Sequence, residues 1–553
     1  MITTDFHAAH LVAPDFEPWW RDAVTYQIYV SSFADANGDG IGDLPGVTAR
    51  IPYLARLGVD ALWLTPHYPS PGADGGYDIS DHMSVHPDFG TLHDYDELLS
   101  VAHAAGLRVL IDIVPNHVSE QHPWFLDARA GAPGARERFH FRAPRDDGAP
   151  PNNWQSLFGG PAWTLDEASG LYYLHLFSPE QPDLNWSHPD VRAHFEQILR
   201  FWLDRGTDGV RVDVAAGLLK DPELRDNPGT YTPGLFGHGP EQVHTWDQEG
   251  VHDIYRSWNA LLREYDHHPA SVGEVCLADL SATARYCRPD ELGSAFTIEL
   301  LKTAWGAGEY ARAIEGPLTT FSEVGAKPAW VLSNHDKSRM PTRFGDGHLG
   351  AARARAAALL LLALPGQAYL YAGDELGLPD ADVPAHARRD PIFHRSAGER
   401  LGRDGVRVPM PWTAGEPHCG FSARPDAPLY LPQPEGWAAY AAQQQWEDVH
   451  SFLNLYAELL RIRKTSPLFG TGPASIAADG DVLTVHLRDA RGNAGRCVVN
   501  MGNHAVTTPD TGRLLALSHF DVWAFEGLLF LPGPSAAWMI DPDVVEPREP
   551  LGG

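Results

Sequence analysis

Eight runs of nearly unbroken apolar character recur along the chain, and most finish in polar or acidic residues. They are TYQIYVSSFAD from Thr25, VDALWLTP from Val59, LRVLIDIVPNH from Leu107 and DGVRVDVA from Asp208, then ASVGEV from Ala270, GSAFTIEL from Gly293, PAWVLSNHD from Pro328 and QAYLYAGDELG from Gln367. Continuous rather than alternating apolarity marks strands covered on both faces, as in a parallel sheet. Helical patterns fill most of the intervals. In VRAHFEQILRFWLDRG, Val191, Phe195, Ile198, Leu199 and Trp202 share one face at helical spacing, Asp190 after Pro189 signals the start, and Gly206 the stop. Eight strands alternating with helices predict an α/β chain folded as a (β/α)8 barrel, whose active site sits at the C-terminal ends of the strands. In this chain those ends carry the acids and histidines.

Two stretches break the alternation. Between His117 and Asn185 the chain is rich in Pro, Gly, Asn and Trp, as in RAPRDDGAPPNNWQSLFGGPAW. A connection so long is a functional loop or a small domain, and we read it as a lid domain inserted after strand three. Beyond the helical HSFLNLYAELLRIRKTSPLF, short alternating runs such as DVLTVHLRD and RCVVNMGN predict a C-terminal antiparallel β-sandwich. The expected organisation is a catalytic barrel over residues 1–117 and 183–468, a lid over 118–182 and a sandwich over 469–553.

Composition narrows the function. The 553 residues are 43% apolar with a formal charge of −30, which suits a large core but disfavours nucleic acid and anionic membranes as partners. A small neutral substrate fits better. The longest apolar run, AAALLLLALPG from Ala356, is too short to span a bilayer, and the N-terminus shows no secretory pattern. Cys276, Cys287, Cys419 and Cys497 form no CxxC pair, which suits free thiols in a reducing cytoplasm. The spacing of His7 and His10 in HAAH is read as incidental, and His82 and His86 as surface residues.

The stretch DANGDGIGD, from Asp35 to Asp43, looks like the opening of a calcium loop. An EF-hand closes with a Glu at its twelfth position, where this chain has Gly46, and needs a helix where this chain has a strand. An Asx-rich turn without metal is the plain alternative.

Asp213, Glu274 and Asp336 fall at the ends of the fourth, fifth and seventh strands, with Arg211, His117 and His335 beside them. Three carboxylates at one barrel mouth match the needs of retaining glycoside hydrolysis: a nucleophile, an acid/base and support for an oxocarbenium-like transition state. Taken in order, DIVPNH, QPDLNW, GVRVDVA, GEV and SNHD resemble motifs of the α-amylase superfamily. Through DANGDGIGDLPG, DGGYDISDH, PNHVSEQHPWF and RVPMPW the chain is similar to that superfamily's α-glucosidase and oligo-1,6-glucosidase branch.

The resemblance implies Asp213 as nucleophile, Glu274 as proton donor and then base, and Asp336 as a grip on ring hydroxyls. Arg211 would hold Asp213 ionised, while Glu274 needs a setting that keeps it protonated. His117 and His335 would bind sugar hydroxyls, Tyr77 would stack on the −1 glucose, and Asp74 with Arg407 would clamp its non-reducing end. Such a pocket implies removal of single terminal glucose units from short α-glucosides by a monomer or homodimer. In this branch the loop matching DANGDGIGD holds a structural divalent ion, usually calcium and otherwise magnesium. The ligands implied are Asp35, Asn37, Asp39, the Ile41 carbonyl and Asp43.

Cys276 stands where the branch usually has an aromatic residue, and Lys337 and Ser338 depart from its pattern after NHD. Both departures bear on the +1 subsite. A transferase or disaccharide isomerase of the same fold is the first alternative, because transfer shares the glucosyl-enzyme with hydrolysis. A non-catalytic sugar-binding relative is the second. Val214, next to the nucleophile, resembles the residue of enzymes that accept α-1,6 bonds.

Overall fold

The computed structural model describes residues 18–234 and 237–541. His7, His10, the rest of the N-terminal stretch and the last residues of the expected sandwich domain lie outside the described residues. Eight parallel strands close a barrel in chain order: β1 (Val24–Ile28), β2 (Ala61–Leu64), β3 (Arg108–Ile113), β4 (Gly209–Val212), β5 (Ala270–Gly273), β6 (Ser294–Thr297), β7 (Ala329–Val331) and β8 (Gln367–Tyr371). Each lies within the corresponding apolar run, except that β1 begins one residue early, at Val24.

Alternation along each strand sorts its side chains into two cores. Leu62, Leu64, Val109, Ile111, Val210 and Val212 point outward into the layer shared with the helices. Ala61, Trp63, Leu110, Ala270 and Val272 fill the barrel interior. The same period turns Asp112 of β3 and Arg211 of β4 inward, and the two residues are paired across neighbouring strands. Helix Pro189–Leu203 buries Val191, Phe195, Ile198, Leu199 and Trp202 as its periodicity predicts. Its N-cap is His188, whose ring accepts from the Asp190 N–H at 3.2 Å, so Asp190 belongs to the first turn.

The insert after β3 carries a three-stranded antiparallel sheet of Phe141–Arg142, Leu171–Leu174 and Trp163–Asp166. Its Trp154, Phe158 and Phe177 pack with Val214 at the end of β4 and with Ile392 after β8, which roofs the barrel mouth. The C-terminal region forms a five-stranded and a three-stranded antiparallel sheet, with Val498, Leu529, Leu531 and Met539 in a shared core. Trp538 fastens it to the barrel: its indole N–H donates to the Leu359 carbonyl at 2.9 Å, and its ring stacks on Phe469 at 4.2 Å.

One expectation about a histidine is overturned. His82 is 1% exposed, because the ring of Phe195 packs against it and the Val114 carbonyl receives its Nε2. His86 is half-buried.

Candidate active site

Asp213 and Glu274 follow β4 and β5 directly, and His335 and Asp336 lie in the connection after β7. Arg211 organises the centre. Its Nη1 donates to Asp213 at 2.6 Å and to Asp112 at 2.7 Å, and its Nη2 lies 2.8 Å from Glu274. The guanidinium, 1% exposed, thus holds both carboxyls of the expected retaining pair, with Trp63 beneath it at 5.1 Å.

Asp112 was not singled out from the sequence. Besides Arg211, it accepts from the Tyr77 hydroxyl at 3.0 Å and the Trp63 indole at 3.1 Å. An aspartate inside an apolar strand run is itself a signal, since a buried charge needs partners.

Three buried carboxyls, Asp112, Asp213 and Glu274, face this one guanidinium. Burial first, then Glu274 and Asp112, push Asp213 well above the usual carboxylate range against the pull of Arg211. Burial also raises Asp112, to about 6, although Arg211, Tyr77 and Trp63 oppose it. Arg211 opposes the rise at both Asp213 and Asp112.

Asp336 behaves differently. Burial opposes its ionisation, yet His335, Arg403 and Arg407 together hold it well below the usual range. Arg407 donates to its Oδ1 at 2.8 Å and Arg403 at 3.2 Å. The Gln27 amide meets His335 Nδ1 at 2.6 Å, which leaves the ring proton on Nε2, 3.5 Å from Asp336. Burial keeps His335 neutral. The Tyr77 ring lies parallel to that of His335, 5.3 Å between centroids.

The clamp expected of Asp74 and Arg407 has a different partner. Asp74 pairs with Arg403 at 2.5 Å, and Arg403 also binds Asp390 at 2.6 Å, while Arg407 serves Asp336 and the His335 carbonyl. Burial lifts Asp74 to about 6 despite Arg403 and Arg407. Arg403 and Asp390, both in the segment after β8, were not picked out from the sequence. Gly75 is required beside Asp74: its φ is +58°, and a Cβ there would lie 2.6 Å from the Tyr29 hydroxyl and 3.0 Å from Arg407. His117, 1% exposed, meets the Tyr77 carbonyl at 3.2 Å.

Both strand ends carrying the acids are strained. Val214 has φ +49° and Cys276 φ +51°, left-handed values that a β-branched residue in particular avoids. Such strain, of order 1–3 kcal/mol per residue, gathers at functional sites. The Val214 N–H meets Glu274 Oε2 at 3.3 Å, so the strained residue after one acid positions the other.

The loop at Asp35 is built from Asx turns. Asp35 accepts from the Gly38 and Gly40 amides at 2.6 and 2.8 Å, Asn37 from Asp39 and Asp39 from Ile41 at 2.8 Å, and Asp43 caps helix Leu44–Ala49 through Gly46. The Asp35, Asn37 and Asp39 oxygens keep a further lone pair, whereas both oxygens of Asp43 already meet two backbone N–H groups each. A donor set made only of oxygens, three of them from carboxylates, fits a hard dication rather than a transition metal.

A barrel with these acids at its mouth defines a glycoside hydrolase site of the retaining type. Residues 27–472 match the model of the α-amylase catalytic domain, and the chain belongs to that family. A probable α-glucosidase of Rhizobium meliloti (strain 1021) is 37% identical over 521 residues, covering 92% of this chain and 93% of its own. An oligo-1,6-glucosidase of Parageobacillus thermoglucosidasius is 33% identical over 528 residues, covering 89% and 91%. The crystal structure of the α-glucosyl transfer enzyme XgtA superposes with a TM-score of 0.88 at 36% identity, covering 95% of this chain and all of that one.

Proposed function

We propose that the protein is an exo-acting retaining α-glucosidase that releases terminal glucose from short α-glucosides such as maltose and isomaltose. The observation that carries this is the single guanidinium of Arg211 holding Asp213 and Glu274 together at the mouth of the barrel. A retaining pair needs its carboxyls roughly 5 to 5.5 Å apart, and a shared guanidinium keeps them at short range.

In the first step Asp213 attacks C1 of the −1 glucose while Glu274 gives its proton to the glycosidic oxygen. The aglycone leaves as an alcohol and a covalent glucosyl-enzyme remains. In the second step Glu274, now a carboxylate, takes a proton from water. That water attacks C1, and Asp213 leaves as a carboxylate. The 2.6 Å contact of Arg211 to Asp213 favours the anion on the nucleophile. Asp336, held as an anion, accepts from ring hydroxyls and stabilises the cationic sugar.

The segment after β8 supports exo action. Arg403 bridges Asp74, Asp390 and Asp336, which closes the pocket behind the −1 sugar. Proton NMR of the first turnovers on a nitrophenyl α-glucoside, whose only glucose comes from the −1 site, tests the stereochemistry: initial α-glucose is expected, and initial β-glucose would exclude a retaining enzyme. Chromatography of products from maltose, isomaltose, sucrose and trehalose tests the rest. Transfer to a sugar or alcohol is the second reading, favoured by the similarity to an α-glucosyl transfer enzyme; disaccharide products in place of free glucose would decide for it.

We further propose that Asp35, Asn37, Asp39, the Ile41 carbonyl and Asp43 hold a structural calcium or magnesium ion. The loop's position supports a bracing role, since it bonds to Phe421 and Tyr430 of the segment that follows the barrel. Four free cysteines support a reducing cytoplasm as its compartment. Among the described residues no helix is long and apolar enough to cross a membrane.

A further inference from the structure

Outside the carboxylate cluster, three histidines from three segments converge. His82 lies in the loop after β2, His122 caps helix Pro123–Arg129 at the start of the insert, and His194 sits on helix Pro189–Leu203 just after it. One ring nitrogen of each lies within 4.8 Å of those of the other two. We propose that His82, His122 and His194 form a site for a zinc-class transition-metal dication that ties the lid insert to the barrel.

The ring environments fit such ligands. His82 Nε2 meets the Val114 carbonyl at 3.3 Å, which sets that nitrogen as the donor and leaves the Nδ1 lone pair free. A metal-binding histidine characteristically gives its other N–H to a backbone carbonyl or a carboxylate. His82 Nδ1 is buried without a hydrogen-bond partner, and so is His194 Nε2. Two unpartnered imidazole nitrogens in one buried corner are costly unless something accepts their lone pairs.

His122 is the ligand that has to change. Its Nδ1 accepts from the Trp124 N–H at 3.1 Å, so ligation through Nε2 moves the ring proton to Nδ1 and gives up that cap. With zinc–nitrogen bonds of about 2.0–2.1 Å, tetrahedral ligand atoms stand roughly 3.4 Å apart, so rings whose nitrogens lie within 4.8 Å of one another need only a small inward movement. A set of three neutral imidazoles suits zinc, nickel or copper and not calcium, which separates this corner from the oxygen-lined loop at Asp35. Burial supports the neutral form, holding His122 at about 4 and the other two rings below the usual histidine range. With three protein ligands, water takes the fourth position.

The test uses the full-length protein stripped with a chelator and titrated with Zn2+ alone, following bound metal by atomic emission and the melting temperature by scanning fluorimetry. One zinc per chain and a raised melting temperature are expected. His194→Gln lies on a half-buried helix face, and His122→Gln removes a different ligand. Each should weaken zinc affinity at least tenfold and abolish the thermal shift, while His7→Ala with His10→Ala should leave both intact. Absence of stoichiometric uptake by the wild type would overturn the proposal, and so would unchanged affinity in the folded His194→Gln and His122→Gln variants.

Discussion

Replacing Arg403 by Gln tests the pocket more sharply than replacing either catalytic acid. Its side chain binds Asp74 at 2.5 Å, Asp390 at 2.6 Å and Asp336 at 3.2 Å, all buried. Asp336 keeps Arg407 at 2.8 Å, so its anion survives the change. Asp74 loses its closest cation and keeps the Gln181 amide at 3.2 Å with Arg407 farther off. A hydrogen bond to a charged group contributes about 1.5–3 kcal/mol. At about 1.4 kcal/mol per decade this is roughly a 10- to 150-fold fall in kcat/KM. With Arg403 gone, Arg407 is left as the cation opposing burial at Asp74, so the pH at which it gains a proton moves above the present value of about 6. Removing one partner from a buried ionic network also costs about 3–5 kcal/mol of stability, so the melting temperature should fall. The assay is the pH profile of kcat/KM on a nitrophenyl α-glucoside, run well below the melting point. Arg403→Lys should recover only part of the loss, because an ammonium cannot reach three carboxylates as a planar fork does. A folded Arg403→Gln enzyme within threefold of wild type, with its acid limb unmoved, would refute the bridging role.

The other predictions follow from neighbouring features. In the wild type, Asp74 and Asp112 are both raised to about 6, so they lose charge as pH falls and kcat/KM should decline below about pH 6; a profile flat to pH 4 would contradict this. The same raised values favour the folded state in acid, and that contribution fades as pH rises through about 6, so stability and activity should move in opposite directions there. Chelation of the ion proposed at Asp35 should lower the melting temperature more than it lowers turnover, whereas an immediate loss of turnover with an unchanged melting temperature would point to a catalytic metal. Val214→Thr should move the maltose-to-isomaltose rate ratio toward maltose, within the roughly 1–3 kcal/mol that a methyl-scale change supplies; an unchanged ratio would remove Val214 as the selector.

The barrel was legible because each strand is a closed apolar run with chemistry at its end, a pattern set by local burial. Asp213, Glu274 and Asp336 could be placed on that frame by order alone. Arg403 could not, because it and Arg407 stand four residues apart in an irregular segment. Which of them reaches Asp74 depends on the path of the chain through the short 3-10 turn Asp404–Val406. Asp112 was visible as a charge inside a strand, and its partner Arg211 as the inward residue of the next one. His82 read as exposed because its neighbours in sequence are polar. Its burial comes from Phe195 and His122, residues distant along the chain that the insert brings over it.

The central claim is that Asp213 forms the covalent intermediate. Trapping the enzyme with a slow-turnover 5-fluoro-α-glucosyl fluoride, followed by peptide mapping in a mass spectrometer, measures this directly. The expected result is one fluoroglucosyl group per chain, in ester linkage to Asp213 within GVRVDVA. A label on another residue, or rapid turnover of the fluoride with no adduct at any time, would contradict it.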